Sequence, residues 1–217
     1  MSRPAAEERP MRCFVTGATG FIGANLVHLL NEAGHSVRAL VRPGSDTRGL
    51  EGAEWEPVQA DLLDEAALAR AMAGCDWCFH VAASYHLWLP DYRPMYATNV
   101  DGTRTVLRAA RRAGCSRVVY TSTVGALAVP KPDARGRLVP TDETRPAPLA
   151  QVVKNPYKHS KWLAEQEALK AAGEGVPVVI VNPTAPVGPR DVKPTPTGRI
   201  ILDFLHRAMP AYLDTGL

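Results

Sequence analysis

Three glycines between a short apolar run and an apolar helical pattern constrain this chain more than any other feature. They are Gly17, Gly20 and Gly23 in the stretch 11–23, Met-Arg-Cys-Phe-Val-Thr-Gly-Ala-Thr-Gly-Phe-Ile-Gly. After a strand, Gly17 would make the tight turn, Gly20 would admit a pyrophosphate to the main chain, and Gly23 would let the next helix pack closely. Free N–H groups at the helix start would bind the anion. This order predicts a dinucleotide site, with an ordinary glycine-rich turn as the alternative.

Strand-like and helix-like stretches alternate along the rest of the chain. After a strand ending at Thr16 and a helix over 21–33, strands are expected at 36–41, near Val58, and at 77–81, 117–121 and 176–181, with helices at 64–72, 99–113 and 155–172. Such alternation predicts an α/β fold, a Rossmann-type doubly wound parallel sheet with helices on both faces. The Pro-rich stretch 129–149 is expected to be irregular, either a solvated loop or a flap beside the site.

Composition and charge narrow the expected partners and compartment. The 217 residues include 25 Lys+Arg and 22 Asp+Glu, and a formal net charge of +3 gives no reason to expect nucleic acid. No segment approaches the roughly 18 continuous apolar residues of a membrane span. Residues 1–10 are polar and predict a disordered tail instead of a signal peptide, so the expected location is cytoplasmic.

The cysteines and histidines predict no metal or redox site. Cys75 and Cys78 form a C-x-x-C pair, but they run into an apolar strand-like segment, whereas a catalytic pair should open a helix. The six histidines show no helical or paired metal spacing.

The residue after the second strand bears on the choice of cofactor. Sites for NAD usually carry an acidic residue about 20 positions after the glycines. Arg42 occupies that place here, and a guanidinium can pair with a 2′-phosphate that a carboxylate would repel. Arg42 therefore favours NADP over NAD, and a surface arginine at a strand end is the alternative.

A tyrosine and a lysine four residues apart supply the candidate chemistry. In a helix over 155–172, Tyr157 and Lys161 would project from one face, one turn apart. The ammonium would favour the phenolate of Tyr157, whose ordinary pKa is about 10, and so allow proton exchange near neutral pH. A hydroxyl must then hold the substrate oxygen, and the strand 117–121 is followed by Ser122 and Thr123.

Taken together, these motifs resemble an extended short-chain dehydrogenase/reductase of the NAD-dependent epimerase/dehydratase type. The motifs run in family order over nearly the whole chain beyond the tail. The matching segments are Thr16-Gly-Ala-Thr-Gly-Phe-Ile-Gly23, Asp61-Leu62, His80-Val-Ala-Ala83, Asn99-Val-Asp-Gly-Thr103, Thr121-Ser-Thr123, Tyr157-Lys-His-Ser-Lys161 and Asn182-Pro183.

The resemblance implies a role for each matching residue. Thr123, Tyr157 and Lys161 would be catalytic, with Tyr157 transferring the proton and Lys161 also holding the nicotinamide ribose. Asn99 would be a structural and proton-relay residue. Cofactor contacts would also come from Gly17, Thr19, Gly20, Phe21, Ile22, Asp61, Leu62, Val81, Ala82, Ala83 and Pro183.

A closer resemblance is to the hopanoid-associated sugar epimerases, which are relatives of dihydroflavonol reductases. It rests on residues 85–88, 181–200 and 209–216 and does not specify the substrate. Tyr85 and Trp88, after a strand's carboxyl end, could stack on a ring-shaped substrate or pack under a loop. Ser122 is a further candidate for substrate contact.

Three functions stay open at this point. The chain could be an NAD(P)-dependent epimerase acting on a hydroxylated small molecule, a one-way NADPH-dependent ketone reductase, or a dinucleotide-binding module without turnover. Family members run on for roughly another hundred residues. We therefore expect 11–190 to form the dinucleotide-binding and catalytic domain and 191–217 the start of a substrate domain in a truncated chain. Helices 99–113 and 155–172 resemble those that build family dimers, so a homodimer is one expected assembly.

Overall fold

A six-stranded parallel sheet forms the centre of the computed structural model, which describes residues 9–86 and 88–209. Its strands follow the order β3-β2-β1-β4-β5-β8, while β6 and β7 form a separate antiparallel pair. The strands are β1 (Arg12–Thr16), β2 (Ser36–Leu40), β3 (Glu56–Val58), β4 (Trp77–His80), β5 (Arg117–Thr121), β6 (Lys131–Pro132), β7 (Leu138–Val139) and β8 (Val178–Val181). The order reverses direction between β1 and β4, which is where such sheets open a ligand crevice.

Helices pack on both faces of this sheet. Alternate side chains of β1 point to opposite faces, so that Phe14 contacts a core built with α2, α4 and α6, whereas Val15 contacts a core built with α1. The helices are α1 (Phe21–Glu32), α2 (Glu65–Ala71), α3 (Arg93–Tyr96), α4 (Gly102–Ala113), α5 (Leu149–Val152), α6 (Pro156–Gly173) and α7 (Pro196–Leu205). The fold confirms the predicted doubly wound α/β architecture.

Most predicted elements lie within two residues of their expected bounds. β5 matches its predicted range, and α2 begins after Asp64, whose side chain accepts a hydrogen bond from Ala67 N as expected of an N-cap. Residues 1–8 of the predicted disordered tail, and 210–217 of the predicted substrate-domain start, lie outside the described residues.

Three local features differ from the expectations. The helix predicted from Asn99 begins earlier, at Arg93, and passes through a wide π-helical turn over Ala97–Asp101 before α4. Pro94 is compatible with that early start because the first helical turn needs no N–H donor. The stretch 129–149 is not wholly irregular, since it contains β6, β7 and the start of α5.

The four cysteines are free and buried in the core. Burial raises the pKa of Cys13 to about 12 and also raises the pKa of Cys75, so these thiols stay protonated near neutral pH. Buried, protonated thiols of this kind contribute to core packing.

Candidate active site

The turn between β1 and α1 fits only glycine at two of its three positions. Gly17 has φ +72°, and a Cβ there would lie 2.6 Å from Ala82 N. A Cβ on Gly23 would overlap the carbonyl oxygen of Gly17, because α1 packs directly on the turn. Gly20 is exposed and precedes the helix without a capping side chain, and the first turn of α1 carries no acidic residue. Gly17, Gly20 and Gly23 thus form a glycine cradle. Together with the free N–H groups at the start of α1, this cradle suits a pyrophosphate.

The other predicted cofactor residues follow the carboxyl ends of the strands. Arg42 lies two residues after β2, exposed to solvent. Asp61 is exposed three residues after β3, and its Oδ1 accepts from Leu63 N at 2.9 Å. The Leu62 side chain packs against Gly102, where a Cβ would lie 2.6 Å from Leu62 Cδ2. Arg42, Asp61 and Leu62 thus lie at the same edge of the sheet as the glycine turn.

The remaining predicted cofactor residues also lie at this edge. Val81, Ala82 and Ala83 follow β4 beside the glycine turn, and Pro183 follows β8, where its carbonyl oxygen accepts from Val124 N at 2.9 Å. Thr19, in the turn before α1, and Phe21 and Ile22, at the start of α1, are half-buried.

A buried histidine connects β1, β4 and α4 beneath the turn. Thr16 Oγ1 lies 2.8 Å from His80 Nδ1, and His80 Nε2 lies 3.0 Å from Thr103 Oγ1. Thr103 Oγ1 donates to Asn99 O at 2.6 Å, so it must accept from His80 Nε2–H, and Nδ1 must accept from Thr16. Burial, and then the charge of Lys161, lower the pKa of His80 to about 3. The imidazole is therefore neutral, with its proton on Nε2.

Asn99 ties the segment after β4 to the start of α6. Its Oδ1 accepts from Ser84 N at 2.7 Å, and its Nδ2 donates to Ser84 O at 3.0 Å and to Ser160 Oγ at 2.9 Å. Ser160 Oγ in turn donates to Tyr157 O at 2.8 Å. This network fixes the first turn of α6 against the edge of the sheet. The side-chain amide lies in the π-helical turn, a kind of distortion frequent at functional sites.

The phenol of Tyr157 is not acidified in the way the sequence suggested. Burial, and secondly the neighbouring Tyr85, raise the pKa of Tyr157 to about 12. The two rings meet edge to face with centroids 4.5 Å apart. The expected lowering by Lys161 is wrong for this structure, because desolvation of the phenol dominates its environment.

Lys161 is buried and directed at the strand beside its helix. Only 2 % of it is exposed, its Nζ donates to Thr121 O at 2.7 Å, and Nζ lies 4.6 Å from the centroid of the Tyr120 ring. Burial lowers the pKa of Lys161 to about 7, against an opposing effect of Glu165. Near neutral pH this amine therefore exchanges its proton readily.

The two hydroxyls after β5 point in different directions. Thr123 is half-buried, and its Oγ1 accepts from Gly125 N at 3.2 Å, which leaves its hydroxyl proton free to be donated. Ser122 is 5 % exposed and its Oγ donates to the carboxyl group of Glu165. The expectation that Ser122 contacts substrate is therefore wrong, because the alternation of β5 directs it into the interior.

The aromatic candidates differ in what they contact within the described residues. Tyr85 packs on Tyr157, whereas Trp88 is 75 % exposed and takes part in no aromatic pair within the described residues.

Two polar residues near the predicted catalytic residues were missed by the sequence analysis. They are Glu165 and Asn182, which are joined by a hydrogen bond of 2.9 Å. The signal for Glu165 was its place four residues after Lys161, on the same face of one helix.

Known proteins resemble this chain over nearly its whole length. The model of the NAD dependent epimerase/dehydratase family matches residues 13–211. A Synechocystis protein provisionally named dihydroflavonol 4-reductase is 50 % identical over 204 residues, which are 94 % of this chain and 57 % of that protein. The chain thus spans a little over half the length of this curated relative.

Solved structures share the fold. That of gox2253 has a TM-score of 0.82 at 47 % identity, covering 92 % of this chain and 59 % of the other. That of PA4631, a nucleoside-diphosphate-sugar epimerase from Pseudomonas aeruginosa, has a TM-score of 0.75 at 28 % identity, covering 93 % and 61 %. The dTDP-glucose 4,6-dehydratase DesIV from Streptomyces venezuelae, solved with NAD and TYD bound, has a TM-score of 0.70 at 26 % identity, covering 91 % and 63 %.

No helix in residues 9–86 and 88–209 is both long and apolar enough to cross a bilayer.

Proposed function

Because the chain belongs to the NAD dependent epimerase/dehydratase family, we propose that it takes part in NAD(P)-dependent hydride transfer at a carbinol or ketone carbon of a small hydroxylated molecule. The glycine cradle would hold the pyrophosphate, and Lys161 and Pro183 would border the nicotinamide end. Residues 11–190 would form the dinucleotide-binding and catalytic domain, and 191–217 the start of a substrate domain. A homodimer is part of this proposal.

Each catalytic side chain has one task in this proposal. A bound nicotinamide dinucleotide supplies or accepts the hydride. Thr123 would donate its free hydroxyl proton to the substrate oxygen, and Tyr157 would pass a proton to or from that oxygen. Lys161, with its proton loosely held, would bind the ribose and stabilise negative charge on Tyr157 as it develops.

The observation that supports this most is the convergence of helix α6 and strand β5. Lys161 lies one turn after Tyr157 on α6, and its Nζ donates to the carbonyl oxygen of Thr121, two residues before Thr123. All three lie at the carboxyl edge of the sheet, where Gly17 and Ala82 meet. A ligand on the glycine turn would therefore extend toward them.

Substitution of the proposed proton donor tests this function. Tyr157→Phe keeps the ring and its contact with Tyr85 but removes the hydroxyl, so we expect NADPH consumption with a panel of ketones and aldehydes to fall by about a hundredfold or more. Binding of NADP⁺, followed by quenching of protein fluorescence, should stay near the wild-type value. Unchanged turnover in the variant would refute the role given to Tyr157.

A one-way reductase is a second candidate supported by a specific observation. Within the described residues, no acidic side chain forms a hydrogen bond with Arg42. The relative at 50 % identity bears a reductase name. We propose that Arg42 favours NADP over NAD, and cells usually keep NADPH for reduction. A cytoplasmic location is proposed with it, since four free buried cysteines suit a reducing compartment.

These two candidates differ in their products. An epimerase would return the hydride to the opposite face of the same carbon and leave the cofactor unchanged. A reductase would convert one NADPH for each carbonyl reduced. Measuring NADPH consumed against substrate converted therefore separates them.

A further inference from the structure

Glu165 lies one turn after Lys161 and two turns after Tyr157 on the same face of α6. It is only 6 % exposed, and carboxyl groups are rarely buried to this degree without partners. One oxygen, Oε2, accepts from Ser122 Oγ and, over 2.9 Å, from Asn182 Nδ2. The proposed hydride transfer does not by itself account for a buried carboxyl group at this place.

The two donors to Glu165 belong to the ends of neighbouring strands. Ser122 is the first residue after β5, and Asn182 is the first after β8. Asn182 Nδ2 also lies 3.1 Å from Thr123 O. One carboxyl group thus connects the helix that carries Lys161 to both segments from which Thr123 and Pro183 extend.

In the part of the chain that the structure describes, three elements bring groups toward the ammonium of Lys161. From β5, the carbonyl oxygen of Thr121 accepts its hydrogen bond and the ring of Tyr120 lies beneath it. From β4, His80 contributes a neutral imidazole, whose pKa Lys161 itself helps to lower. From α6, Glu165 favours the protonated amine and so raises the pKa of Lys161 against the larger effect of burial.

From these contacts we propose that Glu165 is a positioning residue, which supports the positive charge of Lys161 and holds together the strand ends that carry Thr123 and Pro183. This inference rests on the proposed function only for its consequence in catalysis. The charge support and the tie between strand ends exist in the protein without substrate. They can therefore be measured without any turnover.

The test is a titration of Lys161 followed by NMR. Protein labelled with ¹³C-lysine gives a Cε signal for each lysine, and the signal of Lys161 is assigned by its loss in Lys161→Met. In Glu165→Gln, which removes the charge and keeps an oxygen acceptor, we expect the Lys161 signal to titrate at lower pH than in the wild type. A titration unchanged in folded Glu165→Gln would overturn the proposal.

A matched control is available on the same helix. Glu167 is two residues further on and pairs with Arg104 over 2.9 Å, away from the lysine. Glu167→Gln therefore removes the same charge, and we expect it to leave the Lys161 titration at its wild-type position. An equal shift in both variants would mean that net charge alone sets the titration, and would overturn the specific role of Glu165.

A second variant keeps the test decisive if Glu165→Gln does not fold. Replacing Ser122 and Glu165 by apolar residues of similar shape, as in Ser122→Ala with Glu165→Met, removes the hydroxyl donor together with its acceptor, and Asn182 Nδ2 keeps its hydrogen bond to Thr123 O. The Lys161 signal should again titrate at lower pH than in Ser122→Ala alone, which keeps the carboxyl group. Equal titrations in these two proteins would overturn the proposal.

Binding of the cofactor gives a second readout. Because a neutral amine binds the ribose hydroxyls differently from an ammonium, the pH at which NADP⁺ affinity changes should move to lower pH in Glu165→Gln, together with the Lys161 titration. If the titration moves but affinity at every pH stays at the wild-type value, Lys161 does not hold the cofactor. That result would refute the proposed function while the electrostatic role of Glu165 stands.

Discussion

The ring of Tyr85 meets the ring of Tyr157 almost at a right angle, with 4.5 Å between centroids and an interplanar angle of 86°. Tyr85 follows β4, whereas Tyr157 lies in the first turn of α6. The contact therefore covers the proposed proton donor with a side chain from a different segment, and it is one cause of the raised pKa of Tyr157.

Removing that cover should make Tyr157 more acidic. In Tyr85→Ala the phenol gains solvent and loses a titrating neighbour, so its pKa should fall from about 12 toward the ordinary value of 10. Tyr85→Phe, which keeps the ring, should cause a smaller fall. NMR of ¹³Cζ-labelled tyrosine, with Tyr157→Phe for assignment, measures both, and identical titrations in all three proteins would show that Tyr85 does not shield Tyr157.

Alanine at Gly17 should cost both stability and cofactor binding. Its φ of +72° disfavours any Cβ, and the added carbon would press on Ala82 N. We expect a loss of about 1–3 kcal/mol in the free energy of unfolding in urea, and loss of NADP⁺ binding. Gly34→Ala is the control, because Gly34 has φ +79° with nothing within 4 Å of the added Cβ.

The control separates backbone strain from the crowding at the turn. Gly34→Ala should lose about 1 kcal/mol from the conformation alone and bind NADP⁺ like the wild type. Wild-type binding by Gly17→Ala would mean that the cofactor does not use this turn.

Arg42 should discriminate between the two nicotinamide dinucleotides. A charge-assisted hydrogen bond to the 2′-phosphate contributes about 1.5–3 kcal/mol, so Arg42→Ala should weaken NADP⁺ binding about tenfold to a hundredfold and leave NAD⁺ binding unchanged. Arg112→Ala makes the same change in net charge at the far end of α4 and should alter neither. Calorimetry with both cofactors gives the answer, and an unaltered preference would remove Arg42 from cofactor selection.

The buried histidine should make stability depend on pH below neutrality. The imidazole of His80 takes up a proton near pH 6.5 when the chain is unfolded, but only near pH 3 when it is folded. Its contribution to stability is therefore complete above pH 6.5 and is lost as the pH falls toward 3. Each pKa unit of difference corresponds to about 1.4 kcal/mol, so the total is several kcal/mol.

Replacing His80 by a residue that does not titrate tests this dependence. The advantage of the wild type over His80→Gln in urea unfolding should narrow as the pH is lowered from 7 to 4. His206→Gln, a change at an exposed position after α7, should keep the wild-type slope. Parallel stability curves for the wild type and His80→Gln would contradict the assignment of His80 as a neutral buried base.

The sequence predicts elements well where the local pattern and the tertiary environment agree. The apolar run at β5 and the strongly helix-forming run after Asp64 are of this kind, and both elements lie where expected. The early start of the helix at Arg93 was missed because Pro94 is usually a sign of a break, and nothing local reveals that it lies in a first turn.

The candidate site was predicted by position and not by environment. Spacing alone placed Tyr157 and Lys161 on one face of a helix, and the structure agrees. Their pKa values depend on burial and on two neighbours, namely Tyr85, which packs from a distant segment, and Glu165, which lies one turn further along the same face of α6. The orientation of Ser122 was missed for the same reason, since strand alternation gives opposite faces but not which face is covered.

The hydrogen bonds around His80 have one further consequence. They begin at the N–H of Ala82, which donates to Thr16 Oγ1 over 3.2 Å, and end at the carbonyl oxygen of Asn99. A main-chain amide cannot become an acceptor, and a main-chain carbonyl cannot become a donor. No proton can therefore be passed from one end of this line to the other. The role of this line is therefore to hold the segment under the glycine turn in place, and the proposed proton transfer concerns Tyr157 and Lys161 instead.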